Sequence, residues 1–76
     1  MKKTGQNMNE ITFIVQEADE GGYYAESVGV GIFAEGETID ELKENIKGGI
    51  DCYYENEEDK PAFIHLHFFK DEIFAL

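Results

Sequence analysis

The sequence predicts an α+β domain: a small, mostly antiparallel β-sheet with one helix on one face, in the order β-β-β-α-β. Three observations predict it. Short runs alternate apolar and polar residues with a period of two, as half-buried strands do. One longer run, Ile39 to Tyr54, repeats its apolar residues at steps of three and four. Glycine-rich or acidic junctions separate the runs. With 76 residues there is room for one domain, and so short a chain buries only about 60% of its unfolded surface. The ten aromatic residues, six Phe and four Tyr, are an efficient filling for such a core.

Residues 1–8 are polar and patternless and read as a frayed tail; residues 9–70 form the domain, and 71–76 a short apolar tail carrying Ile73, Phe74 and Leu76. The first strand is Asn9 to Gln16, with Ile11, Phe13 and Val15 on one face. Thr12, Ile14 and Gln16 take the other, and Ile14 implies that this second face is also partly covered. Glu17 to Gly22 is a turn whose Gly21-Gly22 pair supplies backbone freedom, and Tyr23 to Ser27 returns to complete a hairpin. Val28 to Gly31 (VGVG) marks a bulge or tight bend. Ile32 to Glu35 is then a third strand, antiparallel to the second and ended by Gly36.

Thr38 caps the helix and Glu41, three residues on, is placed to complete a capping box. Asp40 and Glu41 suit the positive end of the helix dipole. Ile39, Leu42, Ile46, Ile50 and Tyr53 form the apolar stripe, with Cys52 expected as a small buried residue beside it. Gly48 and Gly49 each cost up to about 1 kcal/mol against alanine, which a close approach of helix to sheet would explain. Glu55 to Asp59 is an acidic loop, and Phe63 to Lys70 the last strand. There Ile64, Leu66 and Phe68 share one face and Phe63, His65, His67 and Phe69 the other. No second helix exists to cover that other face, so its aromatic residues imply a partner or a dimer.

Charge bounds the function. There are 17 acidic residues, six lysines and no arginine, for a formal net charge of -11. Phosphate backbones and anionic membranes should repel such a chain, and a basic protein complements it. A single cysteine, with neither an apolar leader nor a membrane-length run, reads as a reduced, cytoplasmic protein. Strand neighbours His65 and His67 point the same way, but no third and fourth metal ligand stands at suitable spacing. The middle of the first strand is apolar, without the converging carboxylates of a nuclease site, and no nucleophile motif or phosphate loop is present. No enzyme activity, resident metal or cofactor is expected.

The run GGYYAESV, followed by GIFAEGETIDEL and an amphipathic helix, resembles the HicB-type antitoxins. The family pattern of a glycine before the third strand, a Gly-acidic-Thr turn and an acidic capping-box residue falls on Gly31, Gly36, Glu37, Thr38 and Glu41. The resemblance spans Ile11 to Phe69. It implies a partial ribonuclease-H-like fold that has lost the nuclease carboxylates. It also implies a role: binding a small, basic HicA-type toxin that cleaves messenger RNA, and covering its catalytic surface. Glu26, Glu35, Asp40, Glu41 and Glu44 are the acidic candidates for that contact, and Phe63, His65, His67 and Phe69 those for a homodimer or higher oligomer. VGVG departs from the family, where this loop commonly has a proline. Six residues after the last strand leave no room for the helix-turn-helix or ribbon-helix-helix domain of many members, so direct operator binding is not expected. The alternative is a standalone homo-oligomeric module for another protein, a small ligand, or a metal through His65 and His67.

Overall fold

The computed structural model describes residues 9–68 and 73–76. Along the chain come β1 (Glu10–Glu17), β2 (Tyr23–Ser27), β3 (Phe33–Gly36), α1 (Ile39–Tyr53), a 3-10 turn (Glu57–Asp59) and β4 (Phe63–Phe68). They build one sheet in the order β3-β2-β1-β4. β1 with β2 and β2 with β3 are antiparallel, whereas β4 runs parallel to β1. The parallel pairing has a topological cause. β3 and β4 lie on opposite edges, and the connection through α1 carries the chain across the sheet to start β4 in the same direction as β3. The fold class is the predicted α+β, with a mixed sheet. No described helix is long and apolar enough to cross a membrane.

Local chemistry explains each junction. Gly21 and Gly22 take φ of 101° and 83°, values that side chains disfavour, and the turn closes with Ala18 N–H donating to the Gly22 carbonyl at 3.0 Å. After β2, the buried Ser27 organises the VGVG loop. Its hydroxyl donates to the Val30 carbonyl at 2.7 Å and accepts from the Ile32 N–H at 3.0 Å, so a polar atom within the core is satisfied on both sides. At the start of α1, Thr38 Oγ1 accepts from the Glu41 N–H at 3.1 Å. The Glu41 carboxylate accepts in return from the N–H of Glu37, at 2.6 Å, one residue before the cap.

The core lies between α1 and one face of the sheet. Phe13 and Val15 of β1, Ala25 of β2 and Leu42 and Ile46 of α1 are all but inaccessible, and Ile11, Ile32, Ala34 and Ile50 surround them. The helix comes closest at β3. A side chain at Gly36 would bring its Cβ within 2.6 Å of the Leu42 backbone nitrogen, so glycine there is a packing requirement.

Several expectations need correction. Cys52 is exposed, because two residues beyond Ile50 is about 200° around a helix and faces away from the sheet. Tyr53 is 49% exposed, and Tyr54, where the backbone leaves the helix, packs on the core in its place. Only Gly49 makes the close approach expected of the glycine pair: its Cβ would lie 3.0 Å from Ile32 Cγ2, whereas one at Gly48 would meet nothing within 4 Å. The third strand is shifted by one residue, to Phe33–Gly36. The acidic loop holds a 3-10 turn, and Phe69 and Lys70, predicted to end the last strand, lie outside the described residues.

Candidate functional site

The sheet face turned away from α1 follows from the register. Pairing sets Glu26 beside Phe33 and Tyr24 beside Glu35 across β2 and β3. On β1, Ile14 faces Glu26 and Gln16 faces Tyr24. Towards β4, Ile14 faces His67, Thr12 faces His65 and Glu10 faces Phe63. The result is two zones. β2 and β3 present two aromatic rings and two carboxylates in a checkerboard, while β1 and β4 present histidines, Phe63 and Glu10.

In the first zone the rings of Tyr24 and Phe33 stack with centroids 6.1 Å apart. Tyr24 is fixed by its hydroxyl, which donates to Gln16 Oε1 at 3.0 Å. Phe33 is 59% exposed and Glu26 and Glu35 are exposed. Aromatic faces beside free carboxylates suit a guanidinium or ammonium group, which gains from the ring quadrupole and from the ionic contact together.

The five acidic candidates do not form one site. Glu26 and Glu35 share the open sheet face, whereas Asp40, Glu41 and Glu44 lie on α1. Within the helix set, the Glu41 carboxylate is engaged by the Glu37 N–H. Glu44 contacts Lys47 at 3.4 Å, which leaves Asp40 as the member with no such contact among the described interactions. Tyr24 and Phe33 were missed by sequence reasoning. The signal was there: an antiparallel pairing with period two puts both between the two glutamates, but only once the register is known.

In the second zone Phe63, His65 and His67 share the open face as expected, while Phe69 lies outside the described residues. The His65 and His67 rings stand edge to face with centroids 6.4 Å apart. His65 Nδ1 lies 3.3 Å from Glu10 Oε2. No group of three or more His, Cys, Asp or Glu converges on a metal position among the described residues.

Beyond the sheet, Lys60 closes the connection into β4. Its ammonium lies 2.9 Å from both Glu57 Oε2 and Asp51 Oδ1. These hydrogen bonds, Glu57 first and Asp51 second, raise its pKa above the ordinary lysine value. Lys60 also lines an open cleft of about 550 Å³ with Asn9, Glu10, Tyr54 and Asp59, where its charge is already matched.

Among the described residues, fold and site together define an α+β domain with one helix and an acidic, aromatic sheet face turned away from it. The chain is 35% identical over 71 residues to a UPF0150 protein of Thermotoga maritima, a match covering 93% of this chain and 99% of that one. It is also 35% identical over 54 residues to a UPF0150 protein of Archaeoglobus fulgidus, covering 71% and 80% of the two chains. This chain belongs to the UPF0150 family. No family model matches it, and no solved structure matches it.

Proposed function

We propose that this protein is a non-enzymatic, antitoxin-like binding module that neutralises a small basic toxin of the HicA type, a ribonuclease acting on messenger RNA. The observation that carries the reading is the checkerboard of Tyr24, Glu26, Phe33 and Glu35 on the sheet face turned away from α1. It is a docking surface for Lys and Arg side chains on a hydrogen-bonded sheet. The resemblance of GIFAEGETIDEL to HicB-type antitoxins supports the same reading. So does the net charge of -11, which draws a basic partner in at long range and turns nucleic acid away. Neutralisation works by occlusion: an acidic, aromatic sheet seated on the toxin's basic surface takes the place of the RNA phosphates. In this reading Glu26 and Glu35 make the contact, and Asp40 and Glu44 steer the approach.

The test is co-expression with a small basic protein encoded beside this chain. The two should co-purify at low salt, separate as salt is raised, and together relieve the growth arrest caused by the toxin alone. Charge reversal at both Glu26→Lys and Glu35→Lys should weaken the complex at least tenfold, about 1.4 kcal/mol, and reversal at Asp40 and Glu44 by less. Failure to co-purify at low salt removes the proposal, and a larger effect from the α1 pair moves the site to the helix.

A further inference from the structure

The β4 edge carries a self-complementary pattern that neither the fold nor the toxin contact uses. Reading outward from Leu66, the sequence Phe63-Ile64-His65-Leu66-His67-Phe68-Phe69 is near-symmetric: His65 mirrors His67, the apolar Ile64 mirrors Phe68, and Phe63 mirrors Phe69. β4 is an edge strand, with no partner on its outer side among the described residues. The Phe63 N–H donates to the Asn9 carbonyl of the β1 side at 2.8 Å. In a parallel ladder this sets the alternation, so Phe63, His65 and His67 aim their backbone groups at β1. Ile64, Leu66 and Phe68 therefore turn theirs outward, where no described strand meets them.

We propose that β4 pairs antiparallel with β4 of a second copy about a two-fold axis at Leu66, making one continuous eight-stranded sheet. The proposal is independent of the toxin reading. The outward N–H and C=O groups of Leu66 meet those of its own symmetry mate, while Ile64 pairs with Phe68 of the other copy and Phe68 with Ile64. A two-fold axis sets residue i of one copy against residue j of the other and j against i, and here that places apolar Ile64 against apolar Phe68 and His65 against His67.

Charge selects the occupant. Residues 61–69 hold no Asp, Glu, Lys or Arg, in a chain with a net charge of -11. Two such chains repel over most of their surface, and this neutral strip lets them approach along a strand edge. A basic partner gains nothing there. On the helix side, Ile64 and Leu66 with Ile46 line a groove rimmed by Lys43 and Lys47. The exposed Phe68 side chain of a second copy, seated opposite Ile64, extends that apolar floor. On the open side His65 faces His67 of the second copy, which leaves the Tyr24–Phe33 zone of each copy free.

Sedimentation equilibrium on the purified chain should give twice its 8.6 kDa mass at micromolar concentration. Ile64→Lys together with Phe68→Lys, both exposed positions, should restore the monomer with an unchanged far-UV spectrum. In a Cys52→Ser background, Leu66→Cys should form an intermolecular disulfide on mild oxidation. Hydrogen-bonded opposite residues have Cα atoms about 5.5 Å apart, within disulfide range. Phe33→Cys, on the far edge, should not cross-link. In the wild type the Leu66 amide should exchange slowly with solvent. A monomeric wild type overturns the proposal, and so does a dimer that survives the double lysine variant or leaves the Leu66 amide fast.

Discussion

The two edges of the sheet are finished in opposite ways. At β3 the helix closes down: Gly36 touches the Leu42 backbone, Ile32 reaches Gly49, and Asn45 Nδ2 donates to the Glu35 carbonyl at 2.6 Å. An edge carbonyl that would otherwise recruit another strand is thereby occupied. At β4 nothing comparable happens among the described residues. Of its six residues only Leu66 is partly buried, and Phe63 and Phe68 are 68% and 56% exposed. One helix can cover only part of a four-stranded sheet, and here it sits over β3 and β2. The difference shows where the chain's own stability resides and where its surface is left for others.

The largest expected effect lies on the covered side. Leu42 is fully buried, so Leu42→Ala should destabilise by about 2–5 kcal/mol. Phe63→Ala, on the exposed edge, should change the stability of the monomeric fold by no more than about 0.5 kcal/mol. Urea unfolding of both variants, made in the Ile64→Lys and Phe68→Lys background to exclude self-association, compares them. Equal losses would mean that β4 packs more tightly than its exposure indicates.

Gly36→Ala is next. Its Cβ would lie 2.6 Å from one backbone atom of Leu42 and 2.9 Å from another, and backbone cannot swing aside as a side-chain tip can. A loss of about 1–3 kcal/mol is expected, again by urea unfolding. A neutral result would show that the β3–α1 contact has slack, and the contrast between the edges would soften accordingly.

The helix glycines sharpen the same contrast with smaller effects. At Gly48 the space is open and the position faces solvent, so Gly48→Ala should stabilise by about 0.5–1 kcal/mol through helix propensity alone. Gly49→Ala gains the same propensity but pushes on Ile32 Cγ2 at 3.0 Å, and should be worth less. Thermal unfolding of the pair ranks them, and the reverse order would place the helix differently over β3.

How much of this was legible follows from the range of each interaction. The Thr38–Glu41 cap and the stripe of Leu42, Ile46 and Ile50 are local, with partners a few residues away, and both stand as the sequence predicts. The stripe was extended one step too far at Tyr53, because the backbone turns out of the helix at Tyr54. Cys52 was misplaced by hydropathy when helical phase pointed it outward. The parallel union of β4 with β1 was not legible, since alternation fixes faces but not neighbours. For the same reason the candidate site was half visible. Glu26 and Glu35 were named for their charge, whereas Tyr24 and Phe33 needed the β2–β3 register to join them.

The smallest effect concerns the approach to β4. Lys60 is held between Glu57 and Asp51 at 2.9 Å, tying the end of α1 to the segment that enters the open edge. Because these carboxylates raise its pKa, the folded state holds that proton more tightly than the unfolded one. The stabilisation is complete below the ordinary lysine pKa and is lost as pH rises through the raised value. Lys60→Met should therefore be slightly less stable than the wild type at neutral pH, with the deficit shrinking as pH climbs past the lysine range. Both ion-pair carboxylates are largely exposed, so added salt should shrink it too. Chemical unfolding of the two proteins across alkaline pH, at low and high salt, reads the difference. A deficit that ignored both pH and salt would mean that Lys60 holds this segment through packing of its aliphatic stem, and the segment entering β4 would then be anchored more like the β3 side than its exposure implies.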